Sequence, residues 1–386
     1  MINLLFLFVA FLGYYFFRLD AFGIQYLPSF FTLISSTYFL FKYYRIIPLQ
    51  KFILFFMGIL FLNIISYGSF QYDLLIEKFS KSIFLLFNIF CSYLFFIHIN
   101  SFSKSIIKKW IFGFLIIISV GVTLQYFIVP FDNLVQSFVN KYYRADLGLF
   151  NLTDIAFFGS ARPTFFSSEA SHIAAKIFVL ACLLSRLYQN QKIDLILFFS
   201  VFLLSFIIKS PVLVLPLIYI LVKNFKFNLV YLLFGIIISI IFIWAFSNLY
   251  DARLFQFALG TDNSFNRRFL IPYYNAMHVI FNYPFGLGFT SGELINEHIY
   301  DINNKLGLSI DPRTMRSWNS FFEFFITFGI IGCSLIACLI YYFIKLKKIA
   351  LNFFDILFIF LLSNFFGILN IFLWQSIFLY FVKHNE

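Results

Sequence analysis

The sequence predicts an all-α polytopic membrane protein with about twelve transmembrane helices and two long outer-face loops. Hydrophobic residues make up 62% of the 386 positions and charged residues only 12%, whereas soluble globular domains typically carry about 25% charged residues. Apolar runs of roughly the length that crosses a bilayer, about 17 to 25 residues, recur along the chain. We therefore expect one integral membrane domain over residues 1–386, with the lipid bilayer as its first partner.

The first five spans are predicted from apolar runs that short charged turns separate. The first run has no basic segment before it and no small-residue cleavage signature after it, so we expect a span there and not a removed signal peptide. These five spans are predicted at 2–17, 24–41, 52–70, 83–98 and 111–129.

A first long outer loop is predicted at 130–168, and it is unusual in length beside the turns that precede it. Loops of that size commonly bind ligands or carry catalytic residues. A span at 169–185 follows, and then two short apolar runs at 195–208 and 212–222. The break between these runs fits either two short spans that meet at an outward tip or one broken helix that lines a cavity.

The second half is predicted to contain one larger outer loop, at 249–317. A span at 227–248 leads into this loop, and three further spans close the chain. Those closing spans are predicted at 318–344, 350–366 and 368–382.

Lysine usage predicts the orientation of the chain. If both termini lie in the cytoplasm, the cytoplasmic turns collect most lysines, as the positive-inside rule requires. Most arginines fall on the other side, and guanidinium binds phosphate and carboxylate in a bidentate way. These arginines indicate an anionic ligand or, equally, pairing with acids of the same loops. They are Arg18, Arg144, Arg162, Arg253, Arg267, Arg268, Arg313 and Arg316.

The stretch at 161–175 draws attention because charges are expensive inside a bilayer, at least ~2.5–3.5 kcal/mol each at the centre of a span. Arg162 precedes a predicted span that carries Glu169, His172 and Lys176. Spacings of three, four and seven residues would put these three side chains on one helix face, within reach of one another. The pattern predicts a functional site at the outer end of this span.

Three motifs carry a family resemblance. Arg162-Pro163, followed by Phe165–Ser171, is similar to the Arg-Pro and Ser-Glu-Pro-Ser signature of O-antigen polymerases of the Wzy type and their ligase relatives, with Ala170 in place of the usual proline. Ser264–Phe269, with Ala276 and the turn Pro284–Gly288, resembles the large-loop pattern of that family. Asn319–Glu323, running to Gly329–Gly332, is similar to its third motif, with Trp318 where relatives often have histidine.

The resemblance implies an inverting, metal-independent glycosyltransferase of the GT-C-like kind, which needs no cofactor. Its donor and acceptor would be oligosaccharides linked to undecaprenyl diphosphate at the outer face of the inner membrane. The expected activity is that of a polymerase for O-antigen or another surface polysaccharide in lipopolysaccharide biosynthesis. A chain-length regulator is a candidate for a further partner. No Walker motif or nucleotide-binding glycine loop is present, and no nucleic-acid partner is expected.

Two other functions stay open. A ligase that moves the finished glycan to lipid A core belongs to the same family, although Trp318 in place of the histidine of many ligases speaks against it. A flippase or other transporter of lipid-linked oligosaccharides is the non-enzyme alternative. That class keeps its loops short, so the outer loop of about 69 residues at 249–317 speaks against it.

Site roles follow from the proposed reaction. A leaving lipid diphosphate needs preorganised cations, and the leading ligands are Arg162, Arg267 and Arg268. Arg313 and Arg316 come second, with salt pairing to Asp311 or Glu323 as the structural alternative. Lys209 is a further phosphate contact, or else a lysine that snorkels to the membrane interface.

The acceptor hydroxyl needs a base within hydrogen-bond reach. Glu169 is the first candidate, either as the base or as the group that orients an arginine; otherwise it is a carboxylate that the helix dipole favours. His172 is the second candidate, or a buried histidine bonded to Glu169, and Lys176 would neutralise Glu169. His298 is the third candidate for the base. Asn319 and Glu323 either support the same cavity or cap their helix.

Overall fold

The computed structural model describes residues 2–17, 27–67, 72–143, 161–167, 169–224, 270–289, 319–346, 351–364 and 366–382. Over these ranges the chain is all-α, with thirteen α-helices and no sheet. The helices are α1 (Ile2–Tyr15), α2 (Phe30–Tyr43), α3 (Leu49–Ile65), α4 (Tyr72–Asn100), α5 (Lys104–Phe127), α6 (Val129–Tyr143), α7 (Ala170–Tyr188), α8 (Gln191–Ile208), α9 (Val214–Asn224), α10 (Ile271–Asn282), α11 (Ser320–Leu346), α12 (Phe353–Ser363) and α13 (Ile371–Tyr380).

Five helices in the described ranges are long and apolar enough to cross a membrane, so the chain is a multi-pass membrane protein. The candidate spans are Leu75–Asn100 of α4, α5, α7, α8 and Ser320–Cys338 of α11. Five other apolar helices have only 10–17 residues, which is shorter than most spans. The prediction of about twelve spans therefore exceeds what the described helices supply by length, and the predicted span at 227–248 lies outside the described residues.

Two predicted loops contain more helix than expected. The residues before the predicted span at 83–98 were expected to form a charged turn, yet α4 begins at Tyr72. The first outer loop, predicted at 130–168, begins with α6, whose buried face carries Val135 and Val139. The apolar stripe of α6 is buried. The first turns of α4 instead bury the polar side chains of Lys78 and Ser82. Residues 144–160 of that loop lie outside the described ranges.

The chain divides into two compact units. Unit 1 comprises Met1–Ala10, Asp20–His98 and Gly260–Glu386, and unit 2 comprises Phe11–Leu19 and Ile99–Leu259. Each unit has its own packing and is described separately.

Unit 1 is organised around a break in α11. Gly329 interrupts the helix with φ 61 and ψ −172, a conformation that is essentially restricted to glycine. The turn Pro284–Phe289 fills this break, because Leu287 N and Gly288 N donate to the carbonyl oxygens of Ile326 and Thr327 over 2.9 Å each. The amide of Ile331 donates to the carbonyl of Pro284 over 3.0 Å. The polar groups that the helix break frees are thus satisfied inside the protein, as membrane depth requires.

The core of unit 1 lies beside this break. Its buried side chains come from α3, α4, α11, the turn at 284–289 and the approach to α13. They are Ile59, Leu62, Leu85, Ile89, Phe289, Phe328, Ile368 and Leu369.

Unit 2 is built around α7. In this helix 89% of the span is buried, against 33% in α5, so α7 is the interior helix of the unit and α5 presents a wide apolar face to lipid. Helix α5 runs antiparallel to α7, because Lys108 near its start lies 4.6 Å from the Tyr188 ring at the end of α7. Its other end contacts the segment before α7.

Helices α8 and α9 form an antiparallel pair against α7. Asp194 at the start of α8 contacts Lys223 at the end of α9, and a short 3-10 turn at Pro211–Leu213 joins the two helices. Of the two arrangements open for 195–222, the structure therefore has two helices that meet at a tip. Because α8 packs back along α7, Lys209 lies at the same end of unit 2 as the start of α7.

Candidate functional site

The candidate site of unit 2 is the segment 161–167, which lies directly before α7. Its backbone is bonded by side chains from three helices. The Oε1 atom of Gln125 in α5 accepts hydrogen bonds from Thr164 N at 3.0 Å and Phe165 N at 2.6 Å. The hydroxyl of Tyr15 in α1 donates to the carbonyl of Phe165. The hydroxyl of Tyr143 in α6 donates to the carbonyl of Phe166 over 2.8 Å.

The backbone of this segment is strained. Phe165 has φ 38 and Phe166 has φ 61, and both values lie in the left-handed region that side chains with a Cβ atom avoid. Such residues cost on the order of 1–3 kcal/mol each, persist only where the surroundings over-determine them, and cluster at functional sites. The three bonded helices supply that constraint here.

Gly121 in α5 makes room for the segment. A Cβ atom at this position would overlap the ring of Phe165. The same ring lies 6.1 Å from the Tyr15 ring and 6.4 Å from the Phe131 ring, centroid to centroid. The segment is therefore docked against α5 through a contact that only glycine permits.

Gln125, which sequence reasoning missed, is the polar anchor of this docking. Its Nε2 atom donates to Asp132 Oδ1 over 2.8 Å, and Gln136 Nε2 donates to Asp132 Oδ2 over 2.7 Å. Asp132 thereby orients the Gln125 amide so that its oxygen faces the 161–167 backbone. The signal in the sequence is a lone glutamine near the end of an apolar span, where burial of a polar group is costly unless it is hydrogen-bonded.

Glu169 occupies the N-cap position of α7 and has extended backbone, with φ −150 and ψ 153. Its side chain is half-buried and accepts a hydrogen bond from Ser171 Oγ at 2.9 Å, and its carbonyl accepts from His172 N at 3.1 Å. The predicted stripe of Glu169, His172 and Lys176 on one helix face is thus not formed, because Glu169 precedes the helix and helical spacing does not apply to it.

His172 is buried in the first turn of α7, with 5% of its surface exposed. Its ring meets the edge of Phe17 with centroids 5.4 Å apart. Phe17 lies just beyond the end of α1, so this ring contact joins the last residues of α1 to the start of α7.

Lys176 is fully enclosed two turns into α7, with 1% of its surface exposed. Its Nζ atom donates to Ser167 Oγ and lies 3.9 Å from the centroid of the Tyr15 ring and 5.4 Å from that of Phe17. No carboxylate of the described residues pairs with it. The predicted neutralisation of Glu169 by Lys176 is therefore wrong, because the ammonium turns towards Ser167 and the aromatic rings.

The structure brings several predicted residues to one end of unit 2. Arg162 is half-buried near the start of the docked segment, Glu169 follows that segment as the N-cap of α7, and His172 lies one turn later. Lys209 is the left-handed C-cap of α8, with φ 49, and is buried at 7% exposure instead of extending to an interface.

The other predicted cations and the third candidate base cannot be placed. Arg267, Arg268, Arg313, Arg316 and His298 all lie outside the described residues, as does most of the large loop at 249–317. Their convergence with Glu169 stays a prediction.

Asn319 and Glu323 in unit 1 have structural partners. Asn319 Oδ1 accepts from Phe321 N at 3.0 Å and its Nδ2 donates to Asn364 Oδ1 over 2.8 Å, so it caps α11. Glu323 Oε2 accepts from Ile368 N at 2.7 Å. Asn319 therefore caps α11, as one of its two predicted roles requires. Glu323 joins the first turn of α11 to the turn before α13.

Lys78 is a third buried lysine of the described residues, after Lys176 and Lys209, and the sequence did not single it out. It lies in α4 with 1% exposure, and its Nζ atom donates to Ser66 Oγ at 2.8 Å and to the Tyr67 carbonyl at 2.6 Å. A Cβ atom on Gly288 would come within 2.8 Å of its Cε atom. Lys78 therefore holds the end of α3 beside the turn at 284–289, where a cation suits the exposed carbonyls of a helix end.

Comparison with protein-family models, with curated proteins and with solved structures finds no match for this chain.

Proposed function

We propose that the chain is a polymerase for O-antigen or a related surface polysaccharide, which transfers a growing glycan from undecaprenyl diphosphate to a new lipid-linked repeat unit. The observation that carries the proposal is the docked segment 161–167. It carries Arg162 shortly before the membrane helix that Glu169 caps, and side chains of three helices hold its strained backbone. This is the segment on which the Arg-Pro and Ser-Glu resemblance rests.

The charge of this end of unit 2 supports an anionic substrate. Arg162 and Lys209 lie at the end where α7 begins, and Lys176 has no carboxylate partner among the described residues. The carboxylates of the described residues near the docked segment are Glu169, bonded to Ser171, and Asp132, bonded to Gln125 and Gln136. Preorganised cations stabilise charge that develops on a leaving diphosphate. In this proposal Arg267 and Arg268 of the large loop are the other leading ligands of the diphosphate, and Arg313 and Arg316 come second.

The proposed step is a single displacement. The acceptor hydroxyl oxygen bonds to the anomeric carbon as the bond from that carbon to the diphosphate oxygen breaks. The hydroxyl proton passes to Glu169, and the lipid diphosphate leaves with the electron pair of the broken bond, so the anomeric configuration inverts. Glu169 suits this role because it is half-buried and already accepts a hydrogen bond, and a base must lie within hydrogen-bond reach of its proton. His172 is the second candidate.

The proposal includes a membrane arrangement finer than the five long helices. About twelve spans, with both termini in the cytoplasm, would place 130–168 and 249–317 on the outer face of the inner membrane. The ends of unit 2 agree with this arrangement. Lys108, Lys223 and Tyr188 collect at one end, while Arg162 and Lys209 lie at the other.

Deletion of the gene, followed by sugar analysis of the surface polysaccharide, tests the function. A polymerase mutant carries single repeat units on lipid A core, because ligation continues without chain growth. Long chains stranded on the lipid carrier would indicate the ligase instead. Repeat units that accumulate on the inner face would indicate a flippase. Unchanged surface polysaccharide would refute all three.

A further inference from the structure

We propose that Lys176 is a positioning residue, whose buried ammonium group holds the segment 161–167 in the docked conformation that presents Arg162 and Glu169. The part of this inference that concerns the reaction rests on the proposed function. The anchoring itself rests only on the contacts within unit 2.

Packing alone does not account for a lysine at this position. Helix α7 is interior, and the residues around Lys176 in the helix are alanine, isoleucine, phenylalanine and valine, all buried. An ammonium in such surroundings is costly unless its donors are satisfied. A methionine of similar length would fill the space without that cost. The role of the ammonium therefore depends on the groups that it contacts.

Two of those groups, Ser167 and Tyr15, belong to the docked segment or hold it, and the third is the Phe17 ring, whose centroid lies 5.4 Å from Nζ. The Nζ atom donates to Ser167 Oγ, and it lies 3.9 Å from the centroid of the Tyr15 ring. The hydroxyl of that same tyrosine donates to the Phe165 carbonyl. Lys176 therefore acts on both sides of the strained residues Phe165 and Phe166. It bonds directly to Ser167, which follows them, and it contacts the Tyr15 side chain that bonds to the Phe165 carbonyl. A cation over a desolvated aromatic ring contributes more than an exposed one does.

Lys176 is a positioning residue and not a catalytic one, because a side chain that is 1% exposed does not reach a substrate. It also does not act by an ion pair with Glu169, whose carboxylate bonds to Ser171. Its influence on the site must therefore pass through the backbone of the docked segment.

The first test measures the anchoring without any use of activity. Thr164→Cys puts a thiol on the half-buried segment, and a maleimide labels it in protein reconstituted in lipid nanodiscs. The protein without this cysteine gives the background from the four native thiols. We expect Lys176→Met to raise the labelling rate at position 164 on the order of tenfold, because the segment opens locally. Lys192→Met, at an exposed lysine in α8, is the matched control and should leave the rate unchanged.

Ser167→Ala keeps the test valid if Lys176→Met does not fold, since it removes only the hydroxyl that accepts from Lys176. It should raise the labelling rate in the same direction. The double variant should label no faster than Lys176→Met alone, because residues that act through one contact are not additive. A labelling rate that neither substitution changes overturns the proposal.

The second test measures surface polysaccharide in the deletion strain complemented by each variant at equal membrane level. Raised labelling with shortened polysaccharide in Lys176→Met and Ser167→Ala supports the positioning role. Raised labelling with full-length polysaccharide overturns that role. If gene deletion itself leaves the polysaccharide unchanged, the proposed function fails instead, and the labelling rates alone decide whether Lys176 anchors the segment.

Discussion

The Nζ atom of Lys223 lies 3.1 Å from the Oδ2 atom of Asp194, and this contact joins the end of α9 to the start of α8. The same ammonium donates to the backbone and hydroxyl oxygens of Ser185 near the end of α7, at 2.6 Å and 2.8 Å. Asn224 Nδ2 adds a further hydrogen bond to Asp194 at 2.9 Å. One largely buried cation therefore ties three helix ends of unit 2 together.

Removal of either partner of the Asp194–Lys223 ion pair should lower the free energy of unfolding. Asp194→Ala leaves the Lys223 ammonium without its counter-charge, and we expect the free energy of unfolding to fall by about 3 kcal/mol. Glu77→Ala, in the more exposed pair with Lys81 at 2.5 Å, is the matched control and should cost about 0.5 kcal/mol or less. Denaturant unfolding of the purified protein in detergent measures both. Equal losses would show that burial does not distinguish the two pairs.

The glycine contacts at the break in α11 give a second prediction. A Cβ atom on Gly286 would overlap the Thr327 carbonyl, and one on Gly329 would overlap the Pro284 carbonyl. Both residues also have positive φ, at 77 and 61. Because backbone atoms cannot move aside cheaply, Gly286→Ala and Gly329→Ala should each prevent normal accumulation of folded protein in the membrane.

Gly58→Ala is the control for these two variants. Gly58 lies in α3 with open space around it, so alanine should be tolerated and should stabilise the helix by about 0.5–1 kcal/mol. Membrane level and thermal unfolding of the three proteins compare them directly. Normal accumulation of Gly329→Ala would contradict the interlocked backbone at this break.

The contact between α5 and the docked segment gives a third prediction. Gly121→Ala should displace the Phe165 ring and with it the segment 161–167, so surface polysaccharide should shorten while the protein still accumulates. Gly113→Ala, in the same helix with nothing near it, should have no effect. Phe165→Ala in the Gly121→Ala background removes the overlapping ring and should restore part of the chain length. Without any such recovery, the loss in Gly121→Ala has another cause.

The proposed roles of Arg162 and Glu169 give a fourth prediction. Arg162→Lys keeps the charge but loses the bidentate contact to phosphate, and Glu169→Gln keeps the shape but removes the base. Each should lower the polymerisation rate by about 100-fold or more, because positioned acid-base groups contribute on the order of 10²–10⁴. The length distribution of surface polysaccharide at matched membrane levels measures this. Lys192→Ala is the control, and full-length polysaccharide from both site variants would reject the proposed site.

The cap at the start of α11 gives a fifth prediction. Asn319→Ala removes the acceptor for Phe321 N, and loss of such a cap typically costs about 1 kcal/mol. If Asn319 is only a cap, Asn319→Ser, which keeps a capping oxygen without burying a charge against Asn364 Oδ1, should recover part of the stability, and polysaccharide per folded protein should match that of the parent. Loss of activity in both variants at normal stability would instead give Asn319 a part in the reaction.

Local composition predicted the helical and membrane character of this chain correctly. Apolar runs are a property of consecutive residues, and a bilayer rewards them wherever they lie, so α1, α5, α7 and α11 were predicted close to their observed places. Helix ends were predicted less well. Residues 72–82 joined α4 and residues 130–143 formed α6. The partner surfaces that bury Val135 and Val139 of α6, and Lys78 of α4, are formed only by the folded chain.

The candidate site shows the same division. The sequence by itself determined that 161–176 carries unusual charge at the start of a membrane helix, since a charged residue within an apolar run can be recognised without knowledge of its contacts. Only the tertiary structure decided that Lys176 turns to Ser167 and Tyr15 instead of Glu169, and that Gln125 and Gly121 hold the segment. Those contacts join residues up to 161 positions apart in the chain, from Tyr15 to Lys176. Helical spacing could not predict these contacts, because it relates only residues of one helix. It also misplaced Glu169, which is the N-cap of α7 and lies just outside the helix.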